Sequence, residues 1–376
     1  LSNEEISQRL AQLQIELVLT AHPTEVTRRT LIQKYQLIFK ALNQLDAHPR
    51  PHERLAILAE VKQIIAQIWY TDEIRQTRPS PEDEAKGGFA VIENSLWQAL
   101  PSFYRELDQQ LQSQGLPPLP MDAKPFRFCS WMGGDRDGNP NVTAQVTANV
   151  IHLGRWMAAD LYLRDMHSLI NGLSIQDCNP VLRAVVGDVH DPYRSLLRGL
   201  KQKLKETRAW AKNALNDHQG LAAQPALHHV SSLIEPLKLC YDSLMDCGLG
   251  IIANGKLLDT LHRVNTFGLT LCPLDIRQES SRHAQVFEEL TDYLALGEYQ
   301  HWDEQKKQQF LITELQNKRP LLPEHWQPSA QVQEVLDTCR VVANQSEDCF
   351  ASYVISMASQ PSDVLAVALI LKMCGR

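Results

Sequence analysis

The stretch "LVLTAHPTEVTRRT", residues 17–30, decides how the rest of the chain is read. A short apolar run, Leu17-Val18-Leu19, stops at Thr20-Ala21, and His22, Pro23, Thr24 and Glu25 follow. From Thr24 onward Leu31, Tyr35, Ile38 and Leu42 recur at helical spacing. The order is strand, polar turn, helix. Proline at the entry suits a helix start, and Thr24 can cap it. Arg28 and Arg29 then lie in the first turns, at the end of the helix that carries partial positive charge. Arginines there are unfavourable unless an anion is bound, so the arrangement suits a phosphate or carboxylate with His22 at its edge. Spacing leaves a second reading open: solvated arginines paired with Glu25, beside a packing histidine.

The same order recurs three more times. "FRFCSWM" (126–132) ends in the Gly/Asp/Asn/Pro loop "GGDRDGNP", "FGLTLCPLDIR" (267–277) ends in "QESSRH", and "CFASYVISM" (349–357) ends in "ASQPSD". Each polar loop leads into a helical pattern. Apolar runs joined by helical crossovers mean parallel strands, hence an α/β class in which helix predominates. The runs show little alternation, so the strands are expected to be buried on both faces. The helical stretches between them are long. One spans about 84–111, with an expected break near Pro101, and 143–264 is mostly helical, with breaks at Pro180, Pro192 and around 220–225. Active sites in parallel α/β architectures lie at the carboxyl ends of strands, where three of the polar clusters fall.

In residues 130–143, the paired glycines Gly133-Gly134 would let backbone approach a ligand, and Trp131 could shield a site from water. Asp135-Arg136-Asp137 could form internal ion pairs. "DRDGN" lacks the spaced ligands and terminal glutamate of an EF-hand. Arg277, at a strand end, is an anion clamp or an interior ion pair with Asp275 or Glu279; periodicity does not choose.

Bulk properties narrow the classes. The chain has 376 residues, is 44% hydrophobic and carries a net charge of −7. That argues against a nucleic-acid or anionic-membrane partner for the chain as a whole. No apolar run approaches the roughly 18 residues needed to span a bilayer. The polar, acidic start is no signal peptide, and without an initiator methionine the chain is expected to be a piece of something longer. Eight cysteines without a C-x-x-C pair read as reduced thiols, and the expected compartment is the cytoplasm.

Taken together, "LVLTAHPTEVTRRT", "TDEIRQTRPSPEDEA", "FCSWMGGDRDGNPNVT", "PLDIRQESSRH" and "ISMASQPSDVLAV" resemble the bacterial phosphoenolpyruvate carboxylase family, in the family's order and along the whole chain. The resemblance implies a (β/α)8 barrel elaborated by helices, in a cytoplasmic homotetramer. It implies conversion of phosphoenolpyruvate and bicarbonate to oxaloacetate and phosphate, with Mg2+ or Mn2+. By motif, His22 matches a catalytic histidine, Arg277 an arginine that stabilises anionic reactants, and Trp131 a residue that keeps CO2 and enolate from water. Ligand contacts by Arg28 and Arg29 are an inference from helix geometry alone.

Family members run to more than twice this length. Their metal carboxylates, a second histidine, a lysine, a Gly/Arg-rich phosphate loop and an inhibitor site lie beyond the position matching Arg376. The expectation is therefore the first four β/α units of eight, with insertions at roughly 26–125 and 143–264, inactive alone. Two other readings stand beside it: a phosphotransferase with His22 as phosphoacceptor, and a non-catalytic structural or regulatory piece.

Overall fold

A computed structural model describes residues 3–20, 29–72, 79–137, 139–216 and 224–375. His22 and Arg28 lie outside the described residues; Arg29 opens a helix, and only its backbone is described.

Helix α1 (Asn3–Ala11) leads into β1 (Ile15–Leu19), followed by α2 (Arg29–Asp46), α3 (Pro51–Trp69), α4 (Pro81–Val91) and α5 (Trp97–Ser113). Strand β2 (Phe126–Ser130) precedes α6 (Ala144–Gly172), α7 (Pro180–Val186), α8 (Pro192–Asn216), α9 (Ser231–Asp246), the single turn α10 (Gly250–Ile252) and α11 (Leu258–Phe267). Then come β3 (Leu274–Glu279), α12 (Ser280–Tyr293), α13 (Glu304–Gln316), α14 (Ala330–Asn344), β4 (Phe350–Ser356) and α15 (Pro361–Met373). The four strands form one parallel sheet in the order β1-β2-β3-β4. Sheet order follows chain order, as expected when each parallel neighbour is reached by a helical crossover. The α/β reading and the excess of helix are both borne out.

Three local expectations are corrected. The third strand begins at Leu274, not at Phe267, which ends α11. Gly268 (φ 54°) and Leu271 (φ 64°) adopt the left-handed region, which a strand cannot contain. Leu269 and Leu271 are buried, so the apolar run there is a buried turn, and composition does not separate the two. Pro101 does not break its helix. The carbonyl of Trp97 that its missing N–H would have served instead accepts a hydrogen bond from Arg263 Nε at 2.7 Å. The irregularity lies earlier, in a π-helical turn over Ile92–Leu96. Finally, β1 is not buried on both faces. It has β2 as its one sheet neighbour among the described residues, and Ile15 and Leu17 are 41% and 45% exposed. Its polar member is satisfied across the sheet, with Glu16 paired to its register partner Arg127 at 3.3 Å.

Two apolar clusters carry the fold. The larger joins the α4–α11 helices to β2 and β3. In it Phe267 stacks between Trp97 (centroids 5.3 Å apart) and Phe128 (5.5 Å). The smaller lies under α12–α15, around Phe287, Leu336 and Leu369. Helices α2 and α3 pack on each other and leave Phe39 and Trp69 66% and 82% exposed. No helix of the described residues is long and apolar enough to cross a membrane.

Backbone packing is tightest where the loop after β2 meets β3. A Cβ added at Gly134 would collide with the carbonyl oxygen of Asp275, a backbone atom that cannot rotate away. By contrast, a Cβ at Gly87 in α4 meets nothing within 4 Å. Gly134→Ala is therefore expected to destabilise by roughly 1–3 kcal/mol or to prevent folding, while Gly87→Ala stabilises by about 0.5–1 kcal/mol through helix propensity. Urea unfolding of both variants checks this; equal effects of the two would contradict it.

Candidate active site at the carboxyl edge of the sheet

Strands β1 and β2 end level with each other, and β3 and β4 end further along. Ser130 closes β2 level with Leu19 of β1 on one side and with Leu274, the first residue of β3, on the other. Strand β3 therefore runs on past β2. The loop after β2 fills the vacant flank: it turns through Gly133 (φ 83°) and returns beside β3, where Asp135 pairs with Arg277 as an isolated parallel bridge. The Arg277 N–H donates to the Gly134 carbonyl at 2.9 Å, and the Arg136 N–H donates to the Arg277 carbonyl at 3.0 Å. On the other side, the Trp131 N–H donates to the Leu19 carbonyl at 3.1 Å. Residues 131–136 thus bridge the ends of β1 and β3.

Side chains follow from that backbone. Asp275 and Arg277, two apart on β3, point to the same face, and both meet Trp131. Indole Nε1 donates to Asp275 Oδ2 at 2.9 Å, and the Arg277 guanidinium lies over the indole ring, 4.1 Å from its centroid. Arg277 Nη1 is 3.1 Å from Asp135 Oδ2, and Nη2 is 3.8 Å from Asp137 Oδ2. The ion pair open from sequence is therefore with Asp135 and Asp137 rather than Asp275 or Glu279. Burial pushes the Asp275 carboxyl above its ordinary range, opposed by the indole hydrogen bond.

The loop is anchored from beneath by the buried Arg136. Its Nη1 donates to the Gly134 carbonyl at 3.1 Å, and its Nη2 donates to Thr147 Oγ1 at 2.6 Å; that hydroxyl donates to the Gly133 carbonyl at 2.7 Å. Thr147 sits in the first turns of α6, which Thr143 caps. A Cβ at Gly134 would meet the Asp275 carbonyl oxygen and one at Gly133 the Val150 side chain, so both glycines serve close packing within the protein. Sequence reasoning missed Thr147 altogether, since a threonine inside a helix carries no signal.

The polar tail of the third motif divides. His283 is fully buried in α12; its Nε2 lies 2.8 Å from the hydroxyl of Tyr353, and Nδ1 has no partner. It belongs to the interior and not to the sheet edge. The thiols are also structural: all eight cysteines are free, and burial holds Cys129, Cys240 and Cys339 up at about 12, far from nucleophilic thiolates. His22 and Arg28, read from sequence as the turn and helix start between β1 and α2, lie outside the described residues.

The sequence model of the family described as phosphoenolpyruvate carboxylase matches residues 1–376. The chain belongs to the phosphoenolpyruvate carboxylase family. It is 55% identical over 372 residues to the phosphoenolpyruvate carboxylase of Pseudomonas paraeruginosa, covering 99% of this chain and 42% of that protein. It is 53% identical over 378 residues to the enzyme of that name from Pectobacterium carotovorum, and 52% identical over 377 residues to that from Proteus mirabilis, covering in each case 100% of this chain and 43% of the relative. The chain thus spans well under half the length of the relatives it matches. Among the described residues no three His, Cys, Asp or Glu side chains group as a metal would need, and Asp135 and Asp137 are turned to Arg277. The described residues of this family member do not fit a divalent cation.

Burial pushes the pKa of His283 down to about 4. Its folded value lies below its unfolded value, near 6.5, so its stabilising contribution is present above about 6.5 and is lost as pH falls toward 4. His152, also pushed down to about 4 by burial, acts in the same direction. Unfolding free energy should therefore fall between pH 6.5 and 4, and His283→Gln should flatten part of that slope in a urea titration series. An unchanged slope would show that His283 is charged in the fold.

Proposed function

We propose that this chain carries the first half of the catalytic barrel of a phosphoenolpyruvate carboxylase, which forms oxaloacetate and phosphate from phosphoenolpyruvate and bicarbonate. The observation that supports it best is Arg277, whose guanidinium lies over the Trp131 ring at the carboxyl edge of a parallel sheet, where α/β architectures place their sites. The family membership supplies the chemistry that this edge would serve. Four parallel strands in chain order, with β1 and β4 each holding one neighbour, suit the first four units of a (β/α)8 barrel. The segments at roughly 26–125 and 143–264 are read as insertions into that barrel, a reading supported by the run of helices between β1 and β2 and between β2 and β3.

In this reading bicarbonate oxygen attacks phosphorus, the bond from phosphorus to the enol oxygen breaks, and carboxyphosphate and enolate form. Carboxyphosphate loses its proton and splits into CO2 and phosphate, and the enolate carbon captures CO2. His22, a group that titrates near neutrality, takes the proton. Arg277 holds anionic reactants, with its geometry fixed by the loop and strand on either side. Trp131 closes the site to water, so that enolate meets CO2 before it meets a proton. Arg29, the first residue of α2, and Arg28, which lies outside the described residues, are the proposed contacts for a phosphate or carboxylate. Mg2+ or Mn2+ belongs to the complete site, with ligands outside this chain, and the assembly is a cytoplasmic homotetramer.

The test uses a full-length phosphoenolpyruvate carboxylase carrying this sequence. His22→Asn should abolish oxaloacetate formation yet keep bicarbonate-dependent release of pyruvate and phosphate, because the first step needs no proton acceptor. Wild-type oxaloacetate formation by that variant would remove His22 from the mechanism. Arg277→Ala should cost on the order of 2–5 kcal/mol of transition-state stabilisation. Arg277→Lys should restore it only in part, since the planar fork is lost. Near wild-type kinetics in a folded Arg277→Ala enzyme would leave Arg277 a structural ion-pair residue.

A further inference from the structure

Arg277 has two carboxylates beside it, and they are held in different ways. Asp135 is fixed by the main chain: its backbone bridges to Arg277, its Oδ2 is 3.1 Å from Nη1, and its Oδ1 accepts the Asp137 N–H at 3.0 Å. Asp137 is loose. Its Oδ2 is 3.8 Å from Nη2, outside hydrogen-bond range, and its side chain is 41% exposed against 27% for Asp135. Its carboxylate makes no other polar contact among the described residues. On the guanidinium, meanwhile, Nε is buried and has no partner among the described residues. One corner of Arg277 is thus satisfied, while Nε and Nη2 still offer donors along the adjoining edge.

That edge is a fork matched to two oxygens in a plane. An unmade hydrogen bond at a buried N–H is costly, and a part-exposed carboxylate at 3.8 Å does little to offset it. We propose that Asp137 is a place-holder that is exchanged for a planar two-oxygen anion during the reaction, while Asp135 stays and positions the guanidinium. The anion is of the carboxylate type, because the group it displaces is a carboxylate. Two reactants offer that chemistry: bicarbonate, and the carboxylate of phosphoenolpyruvate. The inference rests on the reading of Arg277 as an anion holder. It adds a direction to each aspartate: Asp135 works for the anion, and Asp137 competes with it.

Steady-state kinetics of a full-length phosphoenolpyruvate carboxylase carrying this sequence separate the two roles. Asp137→Asn should lower the KM for one reactant roughly two- to fivefold, the scale of a weak exposed pair. Whether bicarbonate or phosphoenolpyruvate shows the drop identifies the anion. Asp137→Glu, which keeps the charge on a longer stem, should leave that KM at or above wild type. Asp135→Asn should act with the opposite sign, raising the same KM and cutting kcat/KM by about tenfold or more. A purely structural role would move both aspartates in the same direction. If Asp137→Asn leaves both KM values unchanged or raises either, the place-holder role is wrong, and it is wrong alone as long as Arg277→Ala abolishes carboxylation. If Arg277→Ala is without effect, the parent reading falls first. Should Asp135→Asn lose its fold by circular dichroism, the Asn and Glu variants of Asp137 decide the question between them.

Discussion

The contact between Arg277 and the loop after β2 is the constraint on which the sheet edge depends. A guanidinium at the end of a buried strand must find both a counter-charge and acceptors for its N–H groups. Asp135 supplies the charge, and Trp131 supplies a flat apolar face that leaves the donors free. Neither can reach Arg277 unless the loop returns beside β3 after β2 has ended. That return demands backbone against backbone, which is why Gly134 has no room for a side chain and why Gly133 takes a positive φ. Arg136 and Thr147 then tie the loop to α6, so the longest helix of the chain supports the same few ångströms of site.

Much of this was legible in the sequence, and the gaps have physical causes. Four apolar runs, each followed by a polar loop and a helix, gave the parallel strands and their helical crossovers, because strand, turn and crossover leave distinct periodicities. The start of β3 was not legible, since buried turn residues such as Leu269 and Leu271 are as apolar as strand residues. The partner of Arg277 was not legible either. Local carboxylates at Asp275 and Glu279 compete with Asp135 and Asp137, more than a hundred residues away, and only the fold brings the distant pair close. His283 was drawn into the site by its polar neighbours, although a single helical residue can turn inward where its neighbours turn outward.

The exposed faces of β1, α2 and α3 fit the same picture. Leu17, Phe39 and Trp69 carry the composition of a core but not its burial. The chain spans 42–43% of its relatives' length, and an apolar strand with a single neighbour suits a proposed barrel in which further strands complete the wall. The better-buried half of the chain, around Phe267 and under α12–α15, holds the Arg277 end of the site.

The claim that Asp135 and Arg277 form one unit is open to a double-mutant cycle on stability. Asp135→Asn, Arg277→Gln and the double variant would be unfolded in urea beside the wild type. Direct pairing predicts a coupling free energy of about 1 kcal/mol or more, with the double variant less destabilised than the sum of the single ones. Strict additivity would contradict it, and would mean that the loop after β2 is held without the Asp135–Arg277 pair.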